Sequence, residues 1–504
     1  MTTITAPATA APEQDQAHAR RWLTLSILCL SLLVIVVDST IVNVALPTLA
    51  RELHAGSAAL EWIVDAYTLA FAALLLLAGS LGDRYGRHRA LAAGLLVFGA
   101  GSLGAALAST AAELVVMRTV MGVGAAFIMP ATMATIVAVF PDPAERAKAV
   151  GIWAAVSGLG VAIGPTAGGW LLQHFSWGSI FATNLPVIAI ALVAGRFLVP
   201  PSAAPHRPRL DPAGALLATA GFGALTYTLI EAGTGGWTSG PTMTRAAVSA
   251  VLLAAFAGWE IRSSHPMIDF SLFRHARFTA ASMAVMVVFF GLAGGNFVLV
   301  QILQFVLGYS PLGAGVRALP GALALTVAAP AGTRLASRFG AKVAVAAGLA
   351  TMAAGLAFFA TATGGSGYGH YLVASVIISA GVGLTMAPAT NSIMGALPPA
   401  KAGIASAMNN TTRNVGAVLG VAIIGSVTAS AYTHAMGSSS ATPAAAHSVG
   451  AAAAIARTIS GHAGQALQAA ADNAFVHGAG FGALIAAAAA AAAAGMTLRY
   501  LPRH

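Results

Sequence analysis

Asp38, Asp65 and Arg118 are where chemistry is to be expected in this chain, because each interrupts a long apolar run. Asp38 lies in Val37-Asp38-Ser39-Thr40-Ile41-Val42-Asn43-Val44-Ala45-Leu46-Pro47, Asp65 in Trp62-Ile63-Val64-Asp65-Ala66-Tyr67, and Arg118 near the start of a further run. A charge carried to the centre of a membrane span costs roughly 2.5–3.5 kcal/mol even on lenient insertion scales, so each such residue is read first as functional. A carboxyl stripped of water favours its neutral form, whereas a neighbouring guanidinium favours the anion. An acid that gains and loses an arginine as helices move therefore takes up and releases a proton. Asp38 is the expected proton site, held by Arg118 when ionised; Asp65 is expected as a second proton site or as the acid that meets a cationic substrate. At a rise of about 1.5 Å per residue the three fall at comparable depth and can meet. The plainer readings are a static bond from Asp38 to Arg118 or Asn43, and a solvated Asp65 near a helix end.

A second polar group, Asn409-Asn410-Thr411-Thr412-Arg413-Asn414, interrupts a later run. Arg413 is expected to face a water-filled cavity, with carbonyls, Asp38, Asp65 or an anionic substrate as its partner. Asn43, Asp65, Asn296, Gln301, Gln304, Asn410 and Arg413 form the candidate substrate cavity, with Phe289, Phe290, Phe297 and Phe305 as aromatic walls. No Gly-rich loop ending in Lys-Ser/Thr is present, and neither His-Glu-x-x-His nor Gly-x-Ser-x-Gly occurs, so neither an ATPase nor a membrane protease is indicated. No catalytic residue, metal site or cofactor is expected; the proton is the coupling ion.

These residues need apolar helices to hold them. Of 504 residues 58% are hydrophobic and 8% charged, and apolar runs of about twenty residues, enough to cross a bilayer, recur throughout. The runs predict an all-α membrane protein with fourteen spans, at 22–46, 60–80, 89–109, 113–140, 147–172, 179–199, 213–232, 244–262, 278–307, 313–335, 341–361, 370–396, 402–430 and 473–498. With both termini cytoplasmic, nineteen of the 25 Lys and Arg fall in inner segments and four in outer ones, with Arg118 and Arg413 inside spans. The net charge of +10 is accordingly read as loops on anionic lipid rather than as a nucleic-acid surface. Cys29 stands alone, which excludes an intrachain disulfide, and the first run is too long for a signal peptide and is expected to stay as an anchor.

An internal repeat organises the spans. Arg84-Tyr85-Gly86 is answered by Arg338-Phe339-Gly340, Gly122-Val123-Gly124 by Gly381-Val382-Gly383, and Pro130-Ala131-Thr132 by Pro388-Ala389-Thr390. The expected organisation is a tail at 1–21, a six-helix bundle at 22–199, a linker with two inserted helices at 200–277, a second six-helix bundle at 278–498 and a tail at 499–504. The outer segment Ala431 to Asp472 is expected to be mobile, with an interfacial helix over 451–471 as the alternative. Glu260, near an inner helix end, is expected to be solvated.

The short link Gly79-Ser80-Leu81-Gly82-Asp83-Arg84-Tyr85-Gly86-Arg87-His88-Arg89 is read as a cytoplasmic turn. Asp83 there can engage an arginine in a charge latch that a sliding helix breaks. Gly79, Asp83, Arg84, Gly86, Arg87 and Arg89 resemble the loop between helices 2 and 3 of the major facilitator superfamily. Arg118-x-x-x-Gly122-x-Gly124 resembles that family's fourth-helix motif, although Met121 stands where glutamine is common. Gly160-x-x-x-Gly164-Pro165-x-x-Gly168-Gly169 resembles its fifth-helix motif associated with export antiporters. With fourteen spans and the Asp38–Pro47 run, the chain resembles the fourteen-helix drug:proton antiporter branch. The resemblance implies a monomeric, proton-coupled exporter of small amphipathic compounds, multidrug or antibiotic, cationic ones among them, working by alternating access in the cell membrane. An uptake symporter or exchanger on the same fold, and a non-transporting sensor or platform, remain open at this point.

Overall fold

The computed structural model describes residues 10–201, 211–263, 270–396, 402–437, 445–446, 448–459 and 462–501. Most of the expected connector at 200–212 and the centre of that at 263–277 lie outside the described residues.

A backbone in lipid must satisfy its own hydrogen bonds, and helices do so. The first group is α1 (Ala10–Glu52), α2 (Ser57–Tyr85), α3 (Arg87–Leu107), α4 (Ala111–Val139), α5 (Pro143–His174), α6 (Ser179–Ala182) and α7 (Asn184–Leu198). Then come α8 (Pro212–Gly235) and α9 (Gly240–Arg262), and after them α10 (Ala276–Gln301), α11 (Pro311–Phe339), α12 (Ala341–Phe359), α13 (Tyr368–Met394), α14 (Ala402–Gly437), α15 (Val449–Thr458) and α16 (His462–Tyr500). Among the described residues fourteen helices are long and apolar enough to cross a membrane, the sixth being α6 and α7 taken together. Side-chain caps start several of them: Asp142 accepts from the Glu145 amide, Asp211 from Gly214 and Ser310 from Gly313, each followed by a proline that suits a first helical turn.

The repeat is visible at its two turns. Gly86 between α2 and α3 has φ +112°, and Gly340 between α11 and α12 has φ +89°, a backbone region that only glycine enters at little cost. α1 to α7 enclose one apolar core, with Phe98, Ile136 and Phe181 fully buried. α10 to α14 enclose another with α16, centred on Phe278, Leu349 and Ala486. α8 and α9 pack on each other, and α8 lies against α2 of one group and α14 of the other.

Contacts between the two groups gather at the end that carries the α1–α2 turn. There Gln304 Nε2 donates to the Val44 carbonyl at 2.8 Å, and Ser426 Oγ lies 3.2 Å from Glu61 Oε2. Gly169 of α5 lies against the backbone of Leu312, and Gly315 of α11 against the Pro165 carbonyl. Toward the opposite end Arg87 reaches the Ala134 carbonyl at 3.1 Å and Arg21 lies 3.7 Å from Glu145, both within the first group.

Two expectations are corrected. Glu260 is 2% exposed, because α9 packs along α8 and turns that face inward. Within 431–472 the described residues are helical rather than mobile: α14 runs on to Gly437, α15 occupies Val449–Thr458 and α16 already begins at His462. Val449, Ala452, Ala453 and Ala456 recur at helical spacing and bury one face of α15, whose N-terminus Ser448 caps. Tyr432 donates to the Ala445 carbonyl at 2.8 Å and ties the segment to α14.

Candidate functional site

Five helices bring the first cluster together. α4 is N-capped by Thr110, which sets the register that turns Arg118 inward two turns later. α3 supplies Ser102, and the sixth span breaks at Thr183 so that Asn184 opens α7 with its side chain in the core. Asp38 of α1 is 0% exposed and Arg118 1%. An Arg118 Nη lies 2.5 Å from Asp38 Oδ2, and Asn184 Nδ2 donates to Asp38 Oδ1 at 3.1 Å. Asn184 also lies 3.1 Å from Ser102 Oγ, whose hydroxyl donates to the Phe181 carbonyl at 2.8 Å. Arg118 Nε donates to the Ile63 carbonyl of α2 at 3.0 Å, and the guanidinium sits 4.3 Å from the centre of the Tyr67 ring. A desolvated pair of this kind is tolerated because each charge also has hydrogen-bond partners; removing one member strands the other at a cost of about 3–5 kcal/mol.

Asp65 is not brought to this cluster. Helix rotation of about 100° per residue puts Ile63 and Tyr67 on the face of α2 that meets Arg118, and Asp65 on the opposite face. Asp65 is 0% exposed and neither carboxyl oxygen has a hydrogen-bond partner. It shares its face with Glu61, one turn earlier and 1% exposed, which meets Ser426 of α14. Sequence reasoning passed over Glu61, although its four-residue spacing from Asp65 is a legible signal. Asn184 and Ser102 were also missed. Thr183-Asn184 interrupting an apolar run marks the helix start, whereas nothing distinguishes Ser102 before the helices are packed.

Several of the expected cavity residues bond locally. Asn43 donates to Ser39 of its own helix at 3.2 Å and Gln301 to Phe297 at 3.2 Å, while Gln304 closes against α1. Asn296 and Asn410 are half-buried. Arg413 makes no ion pair among the described residues and lies 4.5 Å from the centre of the Phe289 ring, on its own half of the molecule. A small apolar pocket of about 30 Å³ lies between α2, α8, α9 and α14, against Leu69, Phe222, Phe256, Thr411 and Val418.

The α2–α3 turn holds Arg87 Nε 2.9 Å from Asp83 Oδ1, with Gly79 packed on Pro130 of α4 and Arg84 near the Tyr85 ring; Arg89 makes no ion pair among the described residues. On α5, Gly160, Gly164 and Gly168 form one face against Val36, Thr40 and Ile41 of α1, while Gly169 faces α11.

The family model described as Major Facilitator Superfamily matches residues 28–421. The chain belongs to the Major Facilitator Superfamily. Among relatives of this superfamily member, "Multidrug resistance protein Stp" of Mycobacterium tuberculosis is 37% identical over 81% of this chain and 76% of that protein. "Multidrug efflux pump LfrA" of Mycolicibacterium smegmatis is 35% identical over 84% and 83%. "Puromycin resistance protein pur8" of Streptomyces alboniger is 36% identical over 82% of each. In fold, the facilitator chain is similar to a bacterial homologue of the human lysosomal transporter Spinster in an inward-facing, unoccupied conformation, with a TM-score of 0.68 at 17% identity, covering 96% of this chain and 98% of that one. It is likewise similar to the inward-open xylose transporter XylE from E. coli, with a TM-score of 0.60 at 14% identity, covering 96% and 97%. It is thus a multi-pass membrane transporter of small molecules.

Proposed function

We propose that this transporter is a proton-driven antiporter that exports small amphipathic compounds, cationic ones among them, from the cytoplasm by alternating access. The observation that carries the proton coupling is the dry Asp38–Arg118 pair, joined to Asn184 and to the Ile63 carbonyl across four helices. Movement of α1 against α4 exchanges Arg118 for a proton on Asp38, so the charge state of the pair reports the conformation. Export is supported by relatives named for multidrug efflux and for puromycin resistance.

The bias of Lys and Arg supports cytoplasmic termini in a plasma membrane, with the α2–α3 turn inside and the α1–α2 turn outside. In that orientation the contacts between halves close the outer side, an inward-facing state. The pocket between α2, α8, α9 and α14 is the substrate site we favour, its apolar walls suiting a lipophilic body. The chain works as a monomer, needs no cofactor besides the proton and carries out no covalent chemistry; it has no nucleic-acid partner.

Inverted vesicles test this. With an acid lumen, addition of a fluorescent lipophilic cation should drive the dye in while lumenal protons leave, at a rate well above that of vesicles without the protein. Protons and dye entering together would replace antiport by symport.

A further inference from the structure

We propose that Glu61 is a proton-binding site at the outer seam, and that the seam closes only when this carboxyl carries its proton. The inference rests on the antiport reading for its place in the cycle, and on hydrogen-bond arithmetic for its chemistry. Ser426 Oγ lies in hydrogen-bond contact with the Ala422 carbonyl, one turn back on α14, and at 3.2 Å from Glu61 Oε2. A serine hydroxyl has one hydrogen to give. The Ala422 carbonyl and Glu61 Oε2 compete for that hydrogen while the acid is ionised, whereas a protonated Glu61 supplies a second one by donating into Ser426 Oγ.

The surroundings agree. Glu61 is 1% exposed and makes no ion pair among the described residues. The charged groups whose field reaches it are Asp65, one turn on, and Glu231 of α8, both acidic. Arg245 of α9 lies 3.8 Å from Glu231 and stacks 4.9 Å from the Tyr227 ring, so it is engaged with α8. Of the polar groups beside Glu61, Gln301 of α10 donates to Phe297 and Tyr432 of α14 donates to Ala445. An anion here would lie one turn from a second acid, with no cation paired to it among the described residues.

The packing also requires the contact to be close. A Cβ on Gly425 would stand 2.7 Å from Glu61 Cδ, and one on Gly233 of α8 would stand 2.7 Å from Ser426 Cα. α2, α8 and α14 thus converge where the proton sits. Uptake of that proton from the outer side lets Glu61 bond Ser426 and closes the seam; its loss separates α2 from α14.

Spin labels on Gly56→Cys and Gly365→Cys, both in turns with open space for a side chain, read the seam in a Cys29→Ser background in lipid nanodiscs. Without substrate or gradient, the separated population should grow as pH rises. Glu61→Gln donates an N–H to Ser426 at every pH and should hold the short distance throughout. Ser426→Ala removes the acceptor and should move the midpoint down by about one pH unit. An unchanged pH response in Glu61→Gln, or an unmoved midpoint in Ser426→Ala, overturns the proposal, as does a response that vanishes in Asp38→Asn and persists in Glu61→Gln. Failure of antiport in the vesicle assay leaves these distances untouched, so the two ideas fall separately.

Discussion

Asp38 has two oxygens and both are engaged, one by Arg118 and one by Asn184, while Arg118 is shared among an acid, a carbonyl and an aromatic face. Such a site is sensitive to geometry as well as charge. Asp38→Asn leaves a buried guanidinium without its acid and should destabilise the protein by about 3–5 kcal/mol. Proton-driven dye uptake should fall to background, while gel filtration and a lowered but cooperative thermal transition show that the fold persists. Arg118→Lys keeps the charge but not the fork that reaches both Asp38 and Ile63, and should also lose most uptake. Transport at the wild-type rate in Asp38→Asn would remove this acid from the coupling. The partnership of Asp38 with Arg118 was legible in the sequence because both interrupt apolar runs at similar depth. The exclusion of Asp65 was not, since depth is read from chain position whereas the facing partner depends on how α2 is rotated in the bundle.

Among the helices, α5 joins the moving parts. Its Gly160, Gly164 and Gly168 face α1 within the first group, and the adjacent Gly169 meets α11 of the second. A Cβ at 169 would stand 2.5 Å from the Leu312 backbone, a contact no rotamer relieves. Gly169→Val should therefore destabilise the closed outer seam by about 1–3 kcal/mol, moving the population toward outer-open forms. Thiol accessibility at Gly56→Cys, in the Cys29→Ser background, measures that shift. Gly158→Ala, where nothing lies within 4 Å, should leave accessibility unchanged and raise helix stability by up to about 1 kcal/mol. The glycine spacing advertised a close helix contact in the sequence. That four neighbouring glycines serve two different partners follows from the tilt of α5 between α1 and α11.

For the molecule as a whole, the inserted pair is the unexpected contributor. α8 and α9 have no counterpart in the repeat, yet α8 lies along α2 and α14 and both helices line the pocket between the halves. If bulky lipophilic compounds occupy that cavity, Ala218→Phe should raise their KM several-fold with little change in kcat, and smaller substrates should be less affected. Equal effects on substrates of all sizes would point to a general packing fault. A proton crossing at 100 mV supplies about 2.3 kcal/mol, enough for roughly 50-fold accumulation of a neutral compound at one proton per cycle.

The number of membrane-crossing helices was determined by the sequence alone, and the repeated motifs were legible there. Span length, charge bias and repeated motifs are properties of the linear chain, because bilayer thickness and backbone hydrogen bonding leave an apolar run few alternatives. Helix rotation and tilt were decided only by tertiary packing. These turned Asp65 away from Arg118, paired Glu61 with Ser426, sent Asn184 to Asp38, and built a cavity wall from a helix pair outside the repeat.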